Sequence, residues 1–120
     1  MQRFTDLKVW ERGHALAIEV YRLSGRFPPD ERFGLTSQVR RAATSVPSNI
    51  AEGSKRVSAS DYARFLNIAE GSLAELEYLL ILSRDLGYAE PDRVEPVFAR
   101  VAEVARMLHG LRATVQRRKR

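Results

Sequence analysis

The chain has 120 residues, 44% hydrophobic and 29% charged, with 20 Lys+Arg against 15 Asp+Glu and no cysteine. That length suits one domain that buries roughly 65–70% of its unfolded surface, enough for a core without staples. The composition excludes disorder, a membrane-embedded body, disulfides, thiolate metal sites and cysteine nucleophiles.

Proline and glycine punctuate four segments of helical periodicity. The first, from about Asp6 to Phe27, carries one stripe of Leu7, Trp10, His14, Ala17 and Tyr21 and a second of Val9, Leu16, Val20, Leu23 and Phe27. Together they predict a broad apolar face turned to a bundle core, with Thr5 or Asp6 as the cap. The second, from about Asp30 to Gly53, has Leu35, Val39, Ala42 or Ala43, Val46 and Ile50 on one side. Pro47 interrupts it and predicts a kink near Ala43–Pro47 or two shorter helices.

The third segment starts at Ser58 or Ser60 and ends near Leu86. Ser58 and Asp61 stand at capping-box spacing, and Gly87 falls where a left-handed C-terminal cap belongs. Its stripe is Tyr62, Phe65, Ala69, Leu73, Leu76 and Leu80. The fourth has Val94, Val97, Val101, Val104, Leu108, Leu111 and Val115 in alternating steps of three and four, an unbroken seam. Asp92 and Glu95 mark its start and place Pro96 in the first turn. Four amphipathic helices with short connectors and no strand signal predict an all-α, antiparallel up-down-up-down four-helix bundle, with helix two kinked at Pro47. Residues 1–111 read as the bundle domain and 112–120 as a basic, frayed C-terminal tail.

Residues Met1–Asp6 contain no apolar stretch of secretory length, and the longest aliphatic run, Leu79–Leu82, is too short to cross a bilayer. A cytoplasmic protein with no membrane partner is expected. The net charge of +5 is unevenly placed. Arg112, Arg117, Arg118, Lys119 and Arg120 form a tail without an acid, and the remaining residues balance. Within the balanced body, residues 35–56 are net positive through Arg40, Arg41, Lys55 and Arg56. Residues 61–86 are net negative through Asp61, Glu70, Glu75, Glu77 and Asp85. Such segments pair within a subunit or between subunits.

Catalytic patterns are missing. A ferritin-type di-iron bundle needs two Glu-x-x-His pairs, and only Glu11 and His14 provide one. His14 therefore reads as a packed or partly exposed histidine. There is no nucleophile elbow and no glycine-rich phosphate loop. Glu75 and Glu77 project about 200° apart on a helix and cannot act as a pair. No enzyme activity, metal or cofactor is expected.

The residues of segments one to three are distinctive as a set. They include Phe4, Leu7, Val9-Trp10, Val20-Tyr21, Phe27-Pro28, Glu31, Gly34-Leu35, and Gln38 through Ala43. Ser45-Val46-Pro47-Ser48-Asn49-Ile50-Ala51-Glu52-Gly53 and Arg56 follow, then Phe65-Leu66, Ile68-Ala69, Gly71-Ser72-Leu73 and Glu75-Leu76-Glu77. Over about residues 4–88 the chain resembles the small bundle proteins named after intervening sequences of bacterial large-subunit (23S) ribosomal RNA genes. The name records a gene location, not an activity. The resemblance implies a ring-shaped homopentamer. It also implies kinship with the accessory protein of diversity-generating retroelements, a pentameric bundle that works with a reverse transcriptase and nucleic acid.

Two functions follow as expectations. One is a nucleic-acid-binding accessory protein, contacting RNA or DNA through Arg40, Arg41, Lys55, Arg56, Arg112, Arg117, Arg118, Lys119 and Arg120. Arginine outnumbers lysine 17 to 3, which suits bidentate phosphate contacts. The other is a scaffold that docks a partner protein without nucleic acid. Asn49, Glu52, Gly53, Gly71, Ser72, Glu75 and Glu77 are assigned to structure and assembly. Asn49 and Glu52 are expected to satisfy backbone groups freed by Pro47 or to line a subunit surface, and Gly71-Ser72 to mark close helix packing.

Overall fold

A computed structural model describes residues 3–118. Four helices, α1 (Lys8–Ser24), α2 (Leu35–Ser54), α3 (Ala59–Asp85) and α4 (Pro91–Arg117), account for most of them, with single 3-10 turns at Phe4–Asp6 and Pro29–Glu31. No strand occurs among the described residues. The helices touch in the cyclic order α1–α2–α3–α4 and back to α1, with no contact across the diagonals. Cross-helix neighbours run in opposite directions: Gly13 beside Pro47, Ser45 against Ser72, Arg112 against Glu70. The bundle is thus antiparallel, up-down-up-down, and 48 × 24 × 21 Å.

The core is the set of inward stripes. Leu16 and Val20, Val39, Val46 and Ile50, Leu66, Leu76 and Leu80, and Val94, Val104, Leu108 and Val115 are fully buried. Removing each from water is worth ~1.5–3 kcal/mol. The α4 seam is buried throughout except Leu111, which packs partly buried against the core.

The helix ends differ from expectation in places. Neither Thr5 nor Asp6 caps α1, because both belong to the preceding 3-10 turn; Leu7 occupies the cap without a side-chain bond. The α2 helix starts at Leu35 rather than Asp30, since Pro29–Glu31 closes its own turn. Pro47 lies inside one continuous α2, so the alternative of two shorter helices is not adopted. At α3, Ser58 Oγ accepts the Asp61 N–H at 3.1 Å. Beyond α3, Gly87 has φ +80°, and the N–H groups of Gly87 and Tyr88 donate to Arg84 and Ser83 carbonyls. This is the paired closure that a left-handed glycine permits.

Pro91 opens α4 at its first position, where its missing donor costs nothing. Pro96 therefore falls in the second turn, not the first. At the other end α4 continues to Arg117 with Val115 fully buried. Residues 112–117 are thus part of the bundle, and the boundary drawn before Arg112 falls inside a helix.

Glu31 ties two connections together. Its Oε1 accepts the Leu35 N–H at 3.0 Å, at the start of α2, and its Oε2 accepts the Tyr88 hydroxyl at 3.0 Å, between α3 and α4. No helix among the described residues is long and apolar enough to cross a membrane.

Candidate functional site

The motif residues of α2 and α3 converge on the groove between those helices. Ser45 and Ser72 hydroxyls are 2.8 Å apart, and Asn49 Nδ2 donates to the Ser45 carbonyl at 2.8 Å and its hydroxyl at 3.0 Å. Pro47 leaves the Ala43 carbonyl without its intrahelical donor, but Asn49 bonds Ser45 instead. Glu52 does not serve the proline either; it is exposed and reaches Arg56 at 3.7 Å. Asn49 thus orients the hydroxyl that bridges to α3. Asn49→Ala should lower stability by about 1 kcal/mol, read as a shifted urea midpoint with unchanged slope.

The glycines divide differently from expectation. A Cβ on Gly53 would lie 2.8 Å from Phe65 Cβ, so Gly53 marks the close approach of α2 and α3. A Cβ on Gly71 would meet nothing within 4 Å. Gly71 is exposed, and only Ser72 of that pair packs across the interface.

The arginines of α2 do not pair with the acids of α3. Arg40 lies over the Tyr21 ring at 4.6 Å and donates to Ser24 Oγ at 2.9 Å and the Tyr21 carbonyl at 3.3 Å, all on α1. Arg56 reaches Glu52 on its own helix. Glu70 instead pairs with Arg112 of α4. Arg41 and Glu75 both line a groove of about 430 Å³ beside Ser45 and Ser72, without an ion pair between them. Glu77, exposed on the α4 side of α3, has no ion pair among the described residues. The opposite charges of the two segments therefore remain largely uncancelled within the subunit.

Topology sorts the remaining cations into two groups. Arg40 and Arg41 stand near the start of α2, some fifteen residues or about 22 Å from Lys55 and Arg56 at its end. That far end also holds the start of α3 and the end of α4. Arg56 and Arg64 both stack on the Phe65 ring, at 4.5 and 4.7 Å. The Tyr62 hydroxyl there is held above its ordinary pKa by burial, partly offset by the nearby Arg118 charge. Lys55, Arg56, Arg64, Arg117 and Arg118 thus share one pole of the bundle. Glu52 and Asp61 answer Arg56 and Arg64. Lys55, Arg117 and Arg118 have no carboxylate partner among the described residues. Arg112 is committed to Glu70 and Gln116, and Lys119 and Arg120 lie outside the described residues.

Sequence periodicity did not single out Arg64, which joins this pole only because α3 reverses direction after Ser58. It also misassigned the first stripe of α1. Val9, Leu16, Val20 and Leu23 are buried as expected, with Ala17 beside them, but His14 and Tyr21 are exposed and Trp10 only partly covered. His14 stacks on Trp10 with ring centroids 5.1 Å apart. Apolar periodicity along the 17 residues of α1 gives two faces, and the signal does not tell which one the bundle covers.

No group of three or more His, Cys, Asp or Glu that could hold a metal occurs among the described residues. Comparison with curated proteins finds no match. Among solved structures, the chain is similar to a crystal structure of a protein with unknown function from the S23 ribosomal protein family of Bacteroides thetaiotaomicron VPI-5482. The two are 25% identical with a TM-score of 0.80, covering 86% of this chain and 96% of that one. The profile described as 23S rRNA-intervening sequence protein matches residues 5–110, covering α1 to α3 and most of α4. With that match across nearly its whole length, the chain belongs to the 23S rRNA-intervening sequence protein family.

Proposed function

We propose that this chain is a non-enzymatic, cytoplasmic homo-oligomer that binds nucleic acid through the basic pole. One observation carries the reading: the antiparallel topology gathers Lys55, Arg56, Arg64, Arg117 and Arg118 at one end, three of them without a carboxylate partner. Guanidinium and ammonium groups at this end contact phosphates and read no base edges, so binding is charge-driven and strand-tolerant. Self-assembly, with five subunits as the expected count, would multiply the poles and convert weak contacts into avidity.

Fluorescence anisotropy with labelled RNA and DNA tests this. Binding is expected at low salt and should fall steeply with added salt. Lys55→Glu with Arg56→Glu should weaken it about tenfold or more, as reversing two phosphate-facing charges removes two contacts and adds repulsion. No binding at low salt, or a charge-reversed variant that binds as the parent does, would overturn the reading.

One observation favours the scaffold reading instead. Phe33 is 88% exposed ahead of α2 with Arg32 stacked on it at 5.2 Å, and aromatic and arginine anchors dominate protein–protein hot spots. A pull-down with and without nuclease separates the two, since a scaffold keeps its partner after nuclease treatment.

A further inference from the structure

The outward side of α1 and the adjoining side of α2 enclose a trough of about 650 Å³. Trp10, Ile18, Tyr21, Pro47 and Ala51 supply most of its apolar lining. Ile18 is 38% and Tyr21 45% exposed, so nothing among the described residues covers it. Arg22 is the one charged residue in the lining, and the adjoining surface carries Arg32, Arg40 and Arg41. No carboxylate lines either. The face is therefore apolar and cationic, and contiguous exposed apolar surface of this kind marks an interaction site.

The same chain carries a complement. At about 100° per residue, the exposed side of α3 presents Asn67, Ile68, Ala74, Glu75 and Tyr78 within roughly 60° of Gly71. Ile68 is 40% and Tyr78 59% exposed. Glu75 has no ion pair among the described residues. This face is apolar and acidic. Trp10 to Tyr21 and Asn67 to Tyr78 each cover eleven residue steps, about 16 Å at ~1.5 Å per residue, so ridge and trough match in length.

We propose that the α3 ridge of one copy seats in the α1–α2 trough of the next, with Glu75 among the trough's arginines. The proposal rests on the self-assembly part of the proposed function and names its surfaces. Trough against trough would set cations on cations, and ridge against ridge would set Glu75 on Glu75. The contact is therefore heterologous: every copy uses both faces, and the series closes into a ring when the rotation per subunit permits.

Two variants and their mixture test it by sedimentation velocity, with far-UV circular dichroism as the check on folding. Ile18→Glu puts an acid in the trough at a helix-compatible spacing from Arg22. Gly71→Arg fills an open position on the ridge, and arginine is a better helix former than glycine. Each variant alone should stay folded and sediment as the 13.6 kDa monomer. An equimolar mixture should assemble into two-chain or larger species, because each variant keeps one intact face and the two altered faces carry opposite charges. A parent chain that is itself monomeric would overturn the assembly reading and this one with it. An oligomeric parent whose variants remain oligomeric would overturn this pairing alone. Variants that are monomeric and stay so on mixing would overturn the head-to-tail arrangement.

Discussion

Glu31→Ala should destabilise the folded chain by more than the ~1 kcal/mol of a lost helix cap, a large share of a small domain's stability. One carboxylate holds two separate junctions. Oε1 accepts the Leu35 N–H at 3.0 Å, the role of a helix cap, whose loss costs about 1 kcal/mol. Oε2 accepts the Tyr88 hydroxyl at 3.0 Å, a charge-assisted bond between parts of the chain 57 residues apart. Losing that bond removes further stability on top of the cap. Glu31→Gln keeps one acceptor and should lie between Ala and the parent. Chemical denaturation with unchanged slope reads all three.

The Tyr88 bond also sets an alkaline limit. Its phenol titrates above the ordinary 10.0, chiefly because it donates to Glu31, with burial and the Glu31 and Asp30 charges adding. A folded-state value above the unfolded one means the contribution is complete below pH ~10 and fades as pH rises through the folded value. Tyr88→Phe should start less stable and lose less between pH 9 and 11. The half-buried phenol of Tyr62, raised in the same direction, retains part of the alkaline loss in that variant. A Tyr88→Phe profile parallel to the parent's would show the bond does not couple to folding.

Gly53→Ala should cost about 1–2 kcal/mol, although alanine is the better helix former. The added Cβ would stand 2.8 Å from Phe65 Cβ and 3.1 Å from Tyr62 Cδ1. Phe65 Cβ is rigidly attached to α3, so relief requires the two helices to separate, and the gain in helix propensity, about 0.5–1 kcal/mol, offsets only part of that. Gly110→Ala provides the contrast. It lies in α4 with nothing within 4 Å of the new methyl, and should stabilise by the propensity term alone. A Gly53→Ala melt at or above the Gly110→Ala melt would remove the close-approach account.

The bundle itself was legible from spacing, because a 3.6-residue repeat of apolar side chains has one efficient solution: stripes turned together. The α4 seam, the Ser58 cap and the left-handed Gly87 were all readable, since each depends on residues within a turn of one another. Pro96 was misjudged by one turn because a proline can end a loop or open a helix, and Pro91 opens this one.

The site was less legible. Arg64 and Phe65 join Lys55, Arg56 and Arg118 only through chain reversal. Arg112 looked like a free tail cation and is held by Glu70 of α3. Glu75 and Arg41 line one groove without an ion pair, while Arg40 turns to Tyr21 and Arg56 to Glu52.

By itself the sequence determined helix number, connector positions, the inward stripes and a family motif, because these depend on local spacing and composition. Tertiary structure alone decided which of two apolar stripes on α1 faces water, which glycine is squeezed, and which cations share a pole. Those depend on the rotation and direction of each helix relative to its neighbours, and the free energy that selects them comes from packing between segments far apart in the chain.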